Sequence, residues 1–262
     1  MGIRAMNTLE RSLVEKAGYD NGWEVALRNE PLKVRLASAR HGAIAEVTAS
    51  EKSSPEAEAF YTVRFISGPE ALVRELARET GTKDWRFRAT DHGGLSQLLR
   101  RASQLAMSLP RNAEEVFSRK AAEAIKAMEI STTEVERMVR QRVGQDVFRD
   151  ALMDYWEGAC AVTGIKQPEI LRASHAKPWA DCESDAERLD VFNGLLLTAN
   201  LDALFDRGLI SFDSDGIMLV GGALSGEVVR QLGLDKNLRM RWIAPEHQKY
   251  LDWHRDRVFR RI

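Results

Sequence analysis

Cysteine is nearly absent: Cys160 and Cys182 are the only two in 262 residues, too few for a disulfide framework or a four-thiolate zinc site. Their spacing would let them pair, but buried free thiols in a reducing compartment are the expectation. Long apolar runs are missing too, since none approaches the roughly 18–20 residues of a membrane span. The opening MGIRAMNTLERSLVEKAG is charged and has no apolar signal core, which points to a cytoplasmic protein with no membrane partner. Nor is there an excess of positive charge. A formal net charge of −1 argues against an indiscriminate grip on nucleic acid, while leaving room for local basic patches. Internal repeats and low-complexity linkers are likewise not found.

What is there is ordinary for a globular chain, 44% hydrophobic and 29% charged, and long enough for one large or two smaller domains. The pattern predicts an α+β protein in three parts. Residues 1–110 form an α+β domain. It has a helix over 1–20 stopped by Gly18, alternating residues 23–49 with a turn at Asn29-Glu30-Pro31, and a polar loop before the strand FYTVRFI. A second helix follows, capped by Ser67, with Pro69 in its first turn and Gly81 as its stop; then come a short strand RFRAT and an amphipathic helix ended by Pro110. Residues 111–156 read as a helical connector in which Ser131 and Glu134 fit a capping box.

From 157 to 262 the pattern changes. CAVTGIKQPEILRASHAKPW predicts a short strand, a turn at Thr163-Gly164 and a second strand carrying His175. The next stretch predicts a loop, a short helix around 196–206, a stop at Gly208, a hairpin from LISFD to IMLV, and a terminal helix from about Pro245. His175 alone would most simply be a core histidine, and Asn193 before Gly194 a turn. In order, however, come His175 at a strand end, Asn193 in the following loop and Asn200 at a helix start. Set within SHAKPW, NGLLL and LDALFDRGLISF, these residues resemble the HNH endonuclease family, in the branch typical of bacterial restriction-type proteins. The likeness runs from about residue 131 to the C-terminus, KYLDWHRDRVF included.

That resemblance implies a C-terminal ββα-metal nuclease domain and a metal-dependent endonuclease that hydrolyses DNA, leaving 5′-phosphate and 3′-hydroxyl ends, with a restriction role in host defence. Imidazole suits the task of taking a proton from water, and by resemblance His175 is that base. Asn193 fixes the loop and orients His175, and Asn200 binds the ion. The usual residue at the third position is His; an amide oxygen there is a harder ligand, favouring Mg²⁺ or Mn²⁺ over Zn²⁺. Ser174 stands where several relatives place a metal ligand. Asp202 and Asp206, four apart on one helix face, could assist, with Asp206 read first as a turn residue before Gly208.

Arg172, Lys177 and Arg188 flank the motif as candidate phosphate contacts, and Arg137, Arg140, Arg142 and Arg149 recur near helical spacing among offsetting acids. His254 is expected to pack on the terminal helix, and His41 and His92 to be exposed loop residues. Residues 1–110 match no motif, but ARHGA, FYTVRF and DWRFRATDHGG interleave aromatics with basic residues, as nucleic-acid contacts and ordinary strands both do. The expected partner is double-stranded DNA, modified DNA included, read by residues 1–110, and double-strand cutting implies a homodimer. Two rival readings are an inactive HNH module that only binds DNA, suggested by Asn200 and Ser174, and a toxin or effector nuclease.

Overall fold

Burial with a period of two builds the first part of the chain. Along β3 (Lys33–Ala37) and β4 (Ile44–Ser50), Val34, Leu36, Ala45, Val47 and Ala49 are buried, while Lys33, Arg35, Glu46 and Thr48 between them are only partly covered. The computed structural model describes residues 2–27, 30–50, 60–127, 132–234 and 238–261, and divides into two units, Met1–Asn112 and Ala113–Ile262. In the first unit β2 (Val25–Ala26), β3, β4, β5 (Tyr61–Ser67) and β6 (Phe87–Ala89) pair antiparallel in chain order, and β1 (Ile3–Arg4) pairs with the C-terminal end of β4. Helices α1 (Thr8–Asp20) and α2 (Glu70–Thr80) pack on α3 (His92–Ser108), while α1 also meets β3 and α3 meets β6.

Several expected boundaries shift for identifiable reasons. Gly18 lies inside α1, where a Cβ would stand 2.8 Å from Leu36 Cδ1; close packing, not helix termination, is its role. Ser67 ends β5 and donates its hydroxyl to the Gly42 carbonyl (3.2 Å), so Pro69 takes the N-cap position of α2. Gly81 does close that helix, at φ 69°. Of the expected turn at 29–31, Asn29 lies outside the described residues, and the chain turns at Pro31 and Leu32 between the bridged Glu30 and Lys33. Most of the expected polar loop at 50–59 also falls outside them. His41 is buried, not exposed, with its ring edge-on to Trp23 at 4.7 Å. His92, the other expected loop residue, is half-buried in the first turn of α3 and meets the Tyr61 hydroxyl at 3.2 Å.

Helix α4 (Pro110–Lys126) spans the boundary between the units. In the second unit α5 (Thr133–Tyr155) is capped by Thr132 on the Val135 amide; Ser131, the expected cap, lies outside the described residues. Cys160–Val162 is not a strand. It is part of a turn, closed where Gly164 N–H donates to the Cys160 carbonyl (3.0 Å) and Cys160 N–H to the Ile165 carbonyl (2.9 Å). The two strands of the ββα unit are instead β7 (Leu171–His175) and β8 (Gly194–Thr198), antiparallel, with α6 (Asp185–Arg188) between them in the chain. Helix α7 (Ala199–Asp206) packs on both. All of β8 is buried, and a short continuous apolar run reads alike as buried strand or buried helix, which is why the helix was expected to start at 196.

β9 (Ile210–Phe212) and β10 (Met218–Val220) form the hairpin, followed by α8 (Gly226–Gln231) and α9 (His247–Arg257). The unit closes on a core that includes Phe148, Leu152, Trp156, Leu196, Phe205 and Phe212. Cys160 and Cys182 are free and buried. No helix among the described residues is long and apolar enough to cross a membrane.

Candidate active site

Strand pairing sets His175 opposite Gly194, at the end of β7. Phe148 of α5 stacks on the imidazole, ring centroids 3.8 Å apart at 16°, and Trp179 meets it edge-on at 5.9 Å. The Nε2 atom lies 2.8 Å from the Arg188 carbonyl oxygen. A carbonyl can only accept, so Nε2 carries the proton and Nδ1 holds the lone pair of the ring. Burial pushes the pKa down to about 4, against a smaller upward pull from the Arg188 carbonyl, so the imidazole is neutral near pH 7.

Asn193 is wholly buried and ties down the loop that carries that carbonyl. Its Oδ1 accepts from Lys177 N–H (2.8 Å), and its Nδ2 donates to the carbonyls of Lys177 (3.1 Å) and Glu187 (3.2 Å), the latter one residue before Arg188. The backbone carbonyl of Asn193 accepts from Ala176 N–H (2.9 Å). Its polar atoms are therefore spent on the loop, and its effect on His175 passes through Arg188.

Lys177 and Arg188 belong to the same clamp. Lys177 Nζ pairs with both carboxylate oxygens of Glu187, at 2.9 and 3.0 Å, and that bond raises its pKa. The Arg188 guanidinium donates to the carbonyls of Trp179 (3.2 Å) and Cys182 and to Asp185 (3.2 Å). Both cations, expected on phosphates, are engaged within the loop. Arg172 is exposed, with one guanidinium nitrogen 3.0 Å from the carbonyls of Glu169 and Leu171. On α5, Arg149 binds the Leu171 and Pro168 carbonyls and Arg140 binds Asp185, whereas Arg137 and Arg142 are exposed.

Asn200 is exposed in the first turn of α7. It lies two residues before Asp202, and helical positions i and i+2 point about 200° apart, so it cannot share that residue's face. The structure sets Asp202 and Asp206, one turn apart, beside Ser174 instead of Asn200. The buried Ser174 hydroxyl donates to Asp202 Oδ1 and lies 3.5 Å from Asp206 Oδ1. Burial, and then the charge of Asp202, raise the pKa of Asp206. Their signal in the sequence was the i, i+4 spacing together with a serine before the histidine.

His175 and Asp206 line one cavity of about 340 Å³, with Ala173, Trp179, His254 and Val258 on its wall. His254 is fully buried, as its expected packing role requires. Its ring stacks on Phe205 at 3.8 Å, Nε2 donates to the Phe205 carbonyl (3.0 Å), and Ser211 Oγ lies 2.9 Å from Nδ1. Phe148 and Glu187 had no individual signal in the sequence, because each acts through a contact distant along the chain, whereas Trp179 closes the SHAKPW motif.

A histidine closing the first strand of a strand–strand–helix unit is the arrangement that the resemblance to a ββα-metal nuclease module implies. Residues 160–213 match the HNH endonuclease family model, and this segment of the second unit is an HNH endonuclease segment. No curated protein matches the chain. Nucleases of this family are generally dependent on a divalent metal. Among the described residues no three His, Cys, Asp or Glu side chains converge as a complete metal cage. Two adjacent carboxylates and a hydroxyl nevertheless form a hard-oxygen set of the kind Mg²⁺ uses when substrate phosphate and water complete its shell. Burial is the larger cause of the raised pKa of Asp206, and the charge of Asp202, the next, is a repulsion that a cation would relieve. These residues fit such an ion.

Proposed function

We propose that this protein is a divalent-metal-dependent endonuclease of restriction type that hydrolyses DNA phosphodiester bonds, with His175 as general base. The tautomer of His175 carries the reading. With Nε2–H committed to the Arg188 carbonyl, Nδ1 is the basic atom, and the neutral ring is free to take the proton of an attacking water. As that proton arrives, the Arg188 carbonyl stabilises the imidazolium from the opposite side of the ring. Asn193, Lys177 and Arg188 act as positioning residues that hold this carbonyl in place.

Asp202, Asp206 and the Ser174 hydroxyl are the proposed ligands of the ion, and their oxygen chemistry favours Mg²⁺ or Mn²⁺. Such an ion, when bound, neutralises charge on the scissile phosphate and helps the 3′ oxygen depart. Arg172, exposed beside the site, is the proposed phosphate contact. The inactive-module reading rests on Asn200 and Ser174 standing where the family's usual ligands would be; the two carboxylates beside Ser174 favour the active reading. Cleavage of both strands by one-site subunits favours a homodimer.

The test is incubation with Mg²⁺ or Mn²⁺ and duplexes that are unmodified or carry methyladenine, methylcytosine or hydroxymethylcytosine. The wild-type protein is expected to cut at least one of them, and His175→Ala to bind it without cutting. Cleavage by His175→Ala at the wild-type rate would overturn the assignment.

A further inference from the structure

A second chemistry sits at the edge of the N-terminal sheet. β6 pairs only with β5, in a register that puts Thr62 opposite Arg88 and Val63 opposite Phe87. Val63 and Phe87 are fully buried, so Arg64 and Arg88 point to the opposite, open face. Continuing the register one residue past β6 brings Arg86 opposite Arg64. All three arginines are exposed, and among the described residues none makes an ion pair within 4 Å; Glu46 lies opposite Arg64 in the register but is engaged by Lys33 and Arg35. The cations further across the same face are different: Lys33 and Arg35 both pair with Glu46, at 3.2 and 3.1 Å. The Arg88 guanidinium lies over the Phe60 ring at 5.1 Å, which holds it at the edge.

Trp85 immediately precedes this cluster. The residue is 51% exposed, and its backbone is in the left-handed region at φ 54°. A bulky residue avoids that region, and exposure of an indole forfeits its burial energy. Like charges set side by side on neighbouring strands also destabilise a sheet. Charge alone protects a sheet edge from mispairing, but edge protection requires neither a strained, exposed tryptophan nor three neighbouring arginines that make no ion pair among the described residues. A polyanion whose backbone alternates phosphates with apolar sugar surface would accommodate both features.

We propose that Arg64, Arg86, Arg88 and Trp85 form a duplex-DNA contact in which the guanidiniums meet phosphates and the indole packs against a base or sugar. Alternate residues on a strand lie about 6.6 Å apart, so neighbouring arginines can reach successive phosphates. The proposal rests on the nuclease reading only for the choice of DNA among polyanions.

The full chain is titrated with a short labelled duplex in EDTA, following fluorescence anisotropy across a range of KCl. The triple variant Arg64→Gln, Arg86→Gln, Arg88→Gln is expected to bind at least about tenfold more weakly and to lower the slope of log K against log salt by about 2–3. Trp85→Gly is expected to weaken binding about fivefold or more with the slope unchanged. Glycine relieves the φ strain, so that loss cannot come from misfolding of the turn. Wild-type affinity and slope in either variant would overturn the proposal, as would no binding by the wild-type chain or equal affinity for duplex RNA. The measurement needs neither metal nor cleavage, so a negative result leaves the His175 reading standing, and failure of the His175→Ala test leaves this result unaffected.

Discussion

The Nε2 atom of His175 donates to the Arg188 carbonyl across 2.8 Å, and the Nε2 atom of His254 does the same to the Phe205 carbonyl across 3.0 Å. Both imidazoles are held near pKa 4 by burial. Unfolding returns each to about 6.5. Between those values the unfolded chain binds protons that the folded chain refuses, so stability from these two groups is present above about pH 6.5 and is lost as the pH falls towards 4. Asp190 and Asp206, whose pKa values burial raises, act in the opposite sense at pH values above the ordinary carboxylate value. The melting temperature is therefore expected to drop between pH 7 and pH 5, and His254→Gln to flatten that drop. Calorimetry showing a pH-independent melting temperature over this range would rule the linkage out.

Asn193 satisfies one backbone amide and two carbonyls inside the Lys177–Arg188 loop. Asn193→Ala strands these groups and is expected to cost about 2–4 kcal/mol in urea unfolding. Asn193→Asp keeps the shape but loses both N–H donors and turns an oxygen towards the carbonyls, so it is expected to be at least as damaging. On the proposed role of this loop in positioning His175, kcat is expected to fall more than DNA affinity in both variants. An unchanged unfolding midpoint in Asn193→Ala would refute the clamp.

These two examples show which parts of the site could be read along the chain. His175 and Asn193 were legible because residue type, order and flanking pattern all converge on them. Their partners were not: the Arg188 carbonyl lies 13 residues from His175 and the Lys177 backbone 16 from Asn193, distances no local pattern reports. Lys177 and Arg188 looked like free cations because the sequence does not show that Glu187 and the backbone carbonyls of Trp179 and Cys182 reach them. Most elements of the first unit were legible from alternation and helix punctuation. Strand β8 was not, since Leu195, Leu196 and Leu197 are buried on both faces and show no period. Asn200 drew attention by resemblance of position; the proposal that Asp202 and Asp206 hold the ion rests on their place beside Ser174.

That exchange can be measured without a cleavage assay. A ligand that binds only the folded chain stabilises it by about 2.7 kcal/mol at a hundred times its Kd, so Mn²⁺ is expected to raise the melting temperature of the wild-type protein. Asp202→Asn and Asp206→Asn are expected to lose that increment, and Asn200→Ala to keep it. Without metal, Asp206→Asn should melt at or above the wild-type temperature, because it removes a partly buried carboxylate repelled by Asp202. Loss of the Mn²⁺ shift in Asn200→Ala, with retention in Asp206→Asn, would return the ligand role to Asn200.

Gly194 faces His175 across the strand pair, and its backbone is extended (φ −141°, ψ 150°), so glycine is not required there by conformation. Space requires it. A Cβ at 194 would stand 2.4 Å from Phe148 Cζ and 2.9 Å from Leu152 Cδ1, and Phe148 is the ring stacked on His175. Gly194→Ala must push that ring aside, at an expected cost of about 1–3 kcal/mol, and it is expected to reduce cleavage because the imidazole loses its support. Phe148→Leu removes the ring and creates the missing space. Since the two changes act on one contact, the double variant is expected to be more stable than the sum of the single effects by about 0.5 kcal/mol or more. Strict additivity in a double-mutant cycle would mean that Gly194 serves some purpose other than admitting Phe148.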